Sequence, residues 1–297
     1  MGLSKYPSKV NLPQSNPGCV TVLEYLIKKF PGISPDIWRA RIVDSKVHWL
    51  NNEPITLMTP YRPQGCVCYY REVEQEPVIP FEERILFQDD HVLLVFKPHF
   101  LPVTPGGKYV EECLQNRLRR RTGVDELQAL HRLDRETAGL VLFSVNPKTR
   151  PQYHDLFASR TIHKTYQAVA EVGEVSGIIG KEWKISNRIV KSDPRFTMKI
   201  TSGEANAHST IKCLTERGGQ GLFELLPISG KTHQLRLHMM SLGWPILHDR
   251  FYPVLQPESS DDYTRPLQLL AKRLQYIDPI TCEHRDFVVD EELIINP

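Results

Sequence analysis

Residues 127–144 read Leu-Gln-Ala-Leu-His-Arg-Leu-Asp-Arg-Glu-Thr-Ala-Gly-Leu-Val-Leu-Phe-Ser. Two apolar runs, Leu127–Leu130 and Gly139–Ser144, have strand character and flank the polar segment His131–Thr137. A polar loop held between strands of a rigid sheet is a common place for chemistry. Asp134 lies between Arg132 and Arg135, and neighbouring cations keep a carboxyl ionised. The same spacing also suits an Arg–Asp turn with only a structural purpose.

Working outward, Ile85–Phe87 and His91–Phe96 read as strands divided by the turn Gln88-Asp89-Asp90. Val110–Arg121, Pro147–Arg160 and Thr232–Leu242 read as helices, the last closed by Gly243. Tyr166–Val172, Trp183–Val190, Phe196–Thr201, His208–Leu214 and Leu222–Leu226 are further strands. Strands outnumber helices and do not alternate with them regularly. That order predicts an α+β domain with a largely antiparallel, mixed sheet rather than a doubly wound parallel one.

Ahead of this domain stands a different pattern. Residues 1–16, rich in Ser, Asn, Lys and Pro, read as a flexible N-terminus. Thr21–Phe30 places Leu23, Leu26, Ile27 and Phe30 at helical spacing, and Ser34-Pro35 is an N-cap followed by proline at the first helical position. Short strands are expected near Val47–Leu50 and Cys66–Arg71, making residues 17–75 a small α/β module. Residues 72–82 read as a linker, with two prolines and clustered acids. The larger domain is expected over 76–297.

The chain has 297 residues, 40% apolar and 24% charged, which is ordinary for a globular protein. No apolar run approaches the roughly 18 residues of a membrane span, and Met1–Ser15 lacks a signal-peptide pattern. Six cysteines are too sparse for a disulfide scaffold, so a reduced, cytoplasmic protein is expected. Net charge is only +2. Its distribution is uneven: Lys181, Lys184, Arg188, Lys191, Arg195 and Lys199 crowd one segment, and Arg117, Arg119, Arg120 and Arg121 another. His233 and His238 are five apart with no Glu between them, which is not the His-Glu-x-x-His zinc pattern. No metal is expected.

Four segments in order resemble the signature of RluA-type RNA pseudouridine synthases. His131-Arg132-Leu133-Asp134 with Thr137-Ala138-Gly139 resembles the His-Arg-Leu-Asp motif. Ile85–Gly107 resembles the segment in which two acids precede a strand ending in Lys-Pro. Lys164-Thr165-Tyr166 resembles the Lys-x-Tyr element, and Ser229–Tyr252 the block around His-Gln-Leu-Arg. Ala138, Ser229, Lys231 and Leu270 depart from the usual Ser, Thr, Arg and His.

The resemblance implies isomerisation of specific uridines to pseudouridine in structured RNA, ribosomal or transfer, by a monomer without metal or organic cofactor. It implies that Asp134 acts on a flipped-out uridine, by attack on the anomeric carbon or by assisting elimination to a glycal. Tyr166 would stack on the base and handle a proton, and Arg236 would pair with Asp134. Arg132 would fill the gap left by the flipped base, and Lys164, Lys231 and His233 would face RNA. The N-terminal module resembles the family's small RNA-binding appendage, with Lys28, Lys29, Arg39 and Arg41 meeting phosphates. The competing reading is a non-catalytic RNA-binding protein that keeps the fold.

Overall fold

A computed structural model of the chain describes every residue except 1, 4–5, 74–75, 174–176, 195, 294 and 296–297. The chain forms two compact units. One comprises Met1–Val78 with Pro105–Glu112, the other Ile79–Thr104 with Cys113–Pro297.

The smaller unit contains β1 (Gly2–Leu3), β2 (Ser8–Asn11), α1 (Val22–Lys29), α2 (Pro35–Val43), β3 (Val47–Trp49), β4 (Cys66–Tyr69) and β5 (Glu72–Val73). Thr21 caps α1 by accepting from the Glu24 N–H at 3.2 Å, and the Glu24 carboxylate reaches back to the Val20 N–H at 2.7 Å. Ser34 caps α2, with Pro35 at its first position. Both helices pack on the sheet β2-β4-β3 around Leu26, Trp38, Val47 and Val67. Two expectations are corrected here. Residues 8–11 form an edge strand rather than a loose tail, because Val10 packs on this core and Leu12 is buried in it. Glu72–Val73, expected in a linker, pairs with Gly2–Leu3.

The larger unit contains β6 (Arg84–Gln88), β7 (Val92–Lys97), α3 (Leu114–Thr122), β8 (Gln128–Ala129), β9 (Ala138–Ser144), α4 (Arg150–Ala158), β10 (His163–Glu171), β11 (Glu182–Lys191), β12 (Met198–Thr201), β13 (Ala207–Arg217), β14 (Gln220–Pro227), α5 (Gln234–Ser241), β15 (Leu269–Ile277) and β16 (His284–Val288). One eleven-stranded sheet runs β12-β11-β13-β14-β10-β15-β9-β7-β6, with β8 on β9 and β16 on β15. Among the described residues, β9 and β15 are the one parallel pair, Leu270 opposite Ala138 and Ala271 opposite Gly139. Among these residues, no helix is long and apolar enough to cross a membrane.

Every residue of β9 is buried. One core lies around β9, β15 and α4, with Leu140, Leu142, Tyr153 and Leu270. A second lies around β10, β13 and β14, where Ala168, Ile211 and Phe223 meet Leu235 and Met239 of α5. β15 was missed in the sequence although it joins the two halves of the sheet. Its Lys272, Arg273 and Gln275 interrupt the apolar run, and its partners β9 and β10 are remote in sequence. Half of the cluster Arg117–Arg121 is turned inward: Arg117 donates to the Ile79 and Phe81 carbonyls at 2.7 and 2.6 Å, and Arg119 to Leu127 O at 2.9 Å, while Arg120 and Arg121 are exposed.

Gly139 is where the parallel strands touch. Its φ is +121°, and a Cβ there would lie 2.3 Å from Ala271 O and 2.6 Å from Ala271 N. Both obstacles are backbone, so neither can swing aside. Backbone strain and overpacking add, and we expect Gly139→Ala to destabilise the fold by about 4 kcal/mol. Urea unfolding measures this; a midpoint equal to wild type would contradict the packing described.

Candidate active site

The polar segment of the opening quotation is the connection from β8 to β9. The Thr137 N–H donates to Asp134 O at 3.1 Å, which closes the loop into a turn. The end of β7 holds it from below. Lys97 is fully buried, and its ammonium donates to the carbonyls of Pro98 (2.8 Å), Leu101 (2.8 Å) and Arg135 (3.0 Å). Three N–H groups meet three carbonyls, so nothing polar is left over. Burial pushes the Lys97 pKa down to about 7, against the pull of Glu136 and Asp134. On the other flank, His131 Nε2 accepts from the Leu142 N–H at 3.1 Å, and its ring stacks on Phe157 at 4.8 Å.

Arg236 rises from α5 and is buried, with 1% of its surface exposed. Its Nε and Nη2 donate to the two carboxylate oxygens of the equally buried Asp249, at 2.7 and 2.5 Å. Its Nη1 lies 3.5 Å from Asp134 Oδ2 and 3.9 Å from Glu136 Oε2. Arg236 therefore reaches Asp134 as expected, but its tight partner is Asp249. Burial acts to lower the guanidinium pKa; the bonds and charge of Asp249, then Asp134 and Glu136, more than offset this and raise it. The guanidinium also lies 4.7 Å from the Phe251 ring centroid and 5.4 Å from that of Tyr252.

His233 stands at the N-cap of α5 in the left-handed conformation, φ +55°. Its Nδ1 lies 2.8 Å from the Tyr252 hydroxyl and its Nε2 3.8 Å from Asp134 Oδ2. Burial lowers its pKa overall, against the opposing pull of Asp134. The Tyr252 hydroxyl donates to Met198 O at 3.2 Å, so the direction of its bond with Nδ1 follows the ring tautomer. The Tyr252 hydroxyl also accepts from the Met198 N–H at 2.8 Å. Next in sequence, Gln234 fastens α5 to the sheet. Its amide donates to His208 O and Ser209 Oγ, and its carbonyl accepts from Ser229 Oγ and the Lys231 N–H.

His131, Gln234 and their neighbours border a cavity of about 850 Å³. Asp134, Tyr166, Arg236, Arg132, Lys164, Lys231 and His233 all line it. Tyr166 enters from β10 directly after a bulge against β15, a device that re-aims a side chain. Burial, and then Asp134, raises the pKa of its hydroxyl, which stays protonated at neutral pH. Burial lowers that of Lys164. Arg132 and Lys231 are exposed at the rim, and Asp134 is about one quarter exposed. Lys97, Glu136, Asp249 and Tyr252 were missed as site residues. Asp249 and Tyr252 lie inside the quoted Ser229–Tyr252 block, and Lys97 ends the strand of the Lys-Pro segment. Among the described residues, no group of three His, Cys, Asp or Glu could hold a metal ion.

Lys28, Lys29, Arg39 and Arg41 belong to the other unit and are not among the lining residues. Arg41 is a correction: it is 6% exposed, packs over Trp38 at 5.1 Å and lies 3.9 Å from Glu72. Its place on the inner face of α2 takes it away from solvent. Lys28 donates to Pro17 O at 2.7 Å, Arg39 pairs with Asp36 at 2.7 Å, and both Lys29 and Arg39 are exposed.

The chain is similar to known proteins. Residues 91–241 match the family model described as RNA pseudouridylate synthase. The mitochondrial tRNA pseudouridine(32) synthase of Saccharomyces cerevisiae is 26% identical over 238 residues, 78% of this chain and 50% of that protein. The dual-specificity RNA pseudouridine synthase RluA of Haemophilus influenzae is 31% identical over 220 residues, 71% of this chain and 94% of that one. The solved human RNA pseudouridylate synthase domain containing 4 superposes with a TM-score of 0.54 at 25% identity, covering 69% of this chain and 87% of its own. The chain belongs to the RNA pseudouridylate synthase family, in its RluA branch. It is an enzyme that isomerises uridine to pseudouridine in RNA.

Three histidines of this unit carry a pH consequence. Burial first, in each case, pushes His99 and His238 down to about 4 and His131 to about 3. The unfolded chain therefore takes up their protons first. Their contribution to stability is complete above the ordinary value of about 6.5 and is lost as pH falls toward 4, by up to about 1.4 kcal/mol per pH unit for each. We expect the urea midpoint to drop clearly between pH 7 and pH 5. An unchanged midpoint would mean these rings are not held neutral.

Proposed function

We propose that the substrate is a uridine in structured ribosomal or transfer RNA, and that Asp134 is the residue that acts on it. Relatives whose names include tRNA pseudouridine(32) synthase and ribosomal large subunit pseudouridine synthase C support those two substrate classes. The observation that carries the residue assignment is the division of labour on Arg236. Asp249 takes the Nε–Nη2 edge of the guanidinium, so Asp134 meets only Nη1, at 3.5 Å. At that distance the guanidinium orients the carboxylate without gripping it. The absence of a bidentate bond leaves its oxygens free to reach a sugar carbon.

In the reaction, the bond from the anomeric carbon to N1 of uracil breaks, and the base turns. A new bond joins the same carbon to C5, whose proton is lost while N1 gains one. No oxidation occurs and no group leaves. Tyr166 offers a flat face to the base and, being a neutral phenol, donates or relays a proton rather than acting as a phenolate. His233, fixed by Tyr252, stands 3.8 Å from Asp134 and so helps to position it. Arg132 occupies the rim, where it would offset the loss of stacking around a flipped nucleotide, and Lys164 and Lys231 meet its backbone.

The smaller unit, which holds the module expected over 17–75 and extends it to Met1–Val78 with Pro105–Glu112, serves in RNA binding through Lys28, Lys29 and Arg39, and the larger unit is the catalytic domain. The enzyme acts as a monomer without metal or cofactor. Its six cysteines are free, which suits the reducing cytoplasm.

Asp134→Asn keeps size and hydrogen bonding but removes the carboxylate. We expect RNA affinity to be kept and single-turnover pseudouridine formation to fall by about 10⁴-fold or more. A folded variant that still forms pseudouridine would overturn the assignment. For Tyr166→Phe, which keeps the ring, a fall of about 10²-fold in the chemical step is expected. An unchanged rate would reduce Tyr166 to packing.

A further inference from the structure

The basic segment at residues 181–199 has no part in the cavity. In β11, alternation sends Trp183, Ile185 and Ile189 to the inner face, while Glu182, Lys184, Ser186 and Arg188 are exposed on the other. Residues directly opposite across an antiparallel pair share a face. Arg188 stands opposite Thr201 and Val190 opposite Lys199, while Lys184 faces Thr210 and Ser186 faces His208. Lys184, Arg188 and Lys199 thus share one open face of three adjacent strands with Ser186, Thr201 and Thr210. Arg195 lies outside the described residues.

Charge on this face is graded. At one end, Lys212 sits between Glu182 and Glu224 on the neighbouring strands. Toward the other end Lys184, Arg188 and Lys199 form no ion pair with any described residue, and the nearby acids in sequence are Asp193 of the β11–β12 turn and Glu204 of the next loop. The unneutralised end is also the end nearest the cavity. His208 and Asn206 line that cavity, and His208 Nδ1 lies 2.9 Å from Ser186 Oγ on the basic face.

We infer that this face is a docking surface for the RNA strand leading away from the target nucleotide, with Lys184, Arg188 and Lys199 meeting its phosphates. The inference rests on the proposed RNA substrate of the cavity. Three cations beside a cavity that takes one nucleotide suit the polyanion to which that nucleotide is joined, and the hydroxyls between them can donate to phosphate oxygens. The contact is with the backbone, so it adds affinity and register without reading sequence.

The test is the full-length chain with Lys184→Gln, Arg188→Gln and Lys199→Gln together. All three side chains are exposed, and a thermal midpoint confirms folding. A control carries Lys148→Gln, Arg217→Gln and Arg265→Gln, exposed cations elsewhere on the unit. The probes are unmodified transfer RNA and ribosomal RNA fragments transcribed in vitro, with affinity measured across a salt series. Losing three phosphate contacts should flatten the slope of log affinity against log salt by about 2 to 3. The loss should appear in KM far more than in kcat, and the control should keep the wild-type slope. Equal slopes for wild type and the triple variant would overturn the inference, as would the same flattening in the control. If wild type bound these RNAs with a slope that only the test variant loses, yet formed no pseudouridine, the docking face would stand and the proposed substrate would fall.

Discussion

The site depends on one buried pair, Arg236 with Asp249. Both side chains are 1% exposed, and an uncompensated charge at such depth costs several kcal/mol. The two parallel bonds meet the charge and fix the plane of the guanidinium. That leaves Nη1 as the only edge facing Asp134 and Glu136. A residue that must orient another carboxylate without binding it tightly is best held by a third group, and Asp249 serves as that group.

Around the pair, the fold brings together pieces distant in the chain. Asp134 comes from the β8–β9 loop, Tyr166 from a bulged strand, Arg236 and His233 from α5, and Asp249 and Tyr252 from the segment after it. Two devices keep the loop in place. Lys97 meets the Arg135 carbonyl from beneath, and Gly139 lets β9 approach β15 at backbone contact. Neither touches the cavity, yet both set the height of Asp134 within it.

Much of this was legible in the residues. The α+β class followed from strands outnumbering helices without regular alternation. Asp134, Tyr166 and Arg236 stood out through their motifs, and the structure places them at one cavity. The Thr21 and Ser34 caps were readable because capping is local. What was hidden is non-local. β15 carries cations and Gln among its apolar residues, and its partners β9 and β10 lie about a hundred residues away or more. Asp249 looks like any loop acid until α5 packs beside it. Arg41 has the composition of a surface cation, and only the turn of α2 against Trp38 buries it. The tail at residues 8–11 looked loose because four residues show too little alternation to announce an edge strand.

Asp249→Asn tests the central claim most directly. The substitution keeps the shape of the side chain and removes the charge that clamps Arg236. Thermal stability and single-turnover pseudouridine formation at saturating RNA would be measured on the same preparation. The account predicts a loss of about 3 kcal/mol in stability and a large fall in rate, with Asp134 intact. Wild-type rate in a folded Asp249→Asn chain would contradict it, because Asp134 would then need no clamped guanidinium.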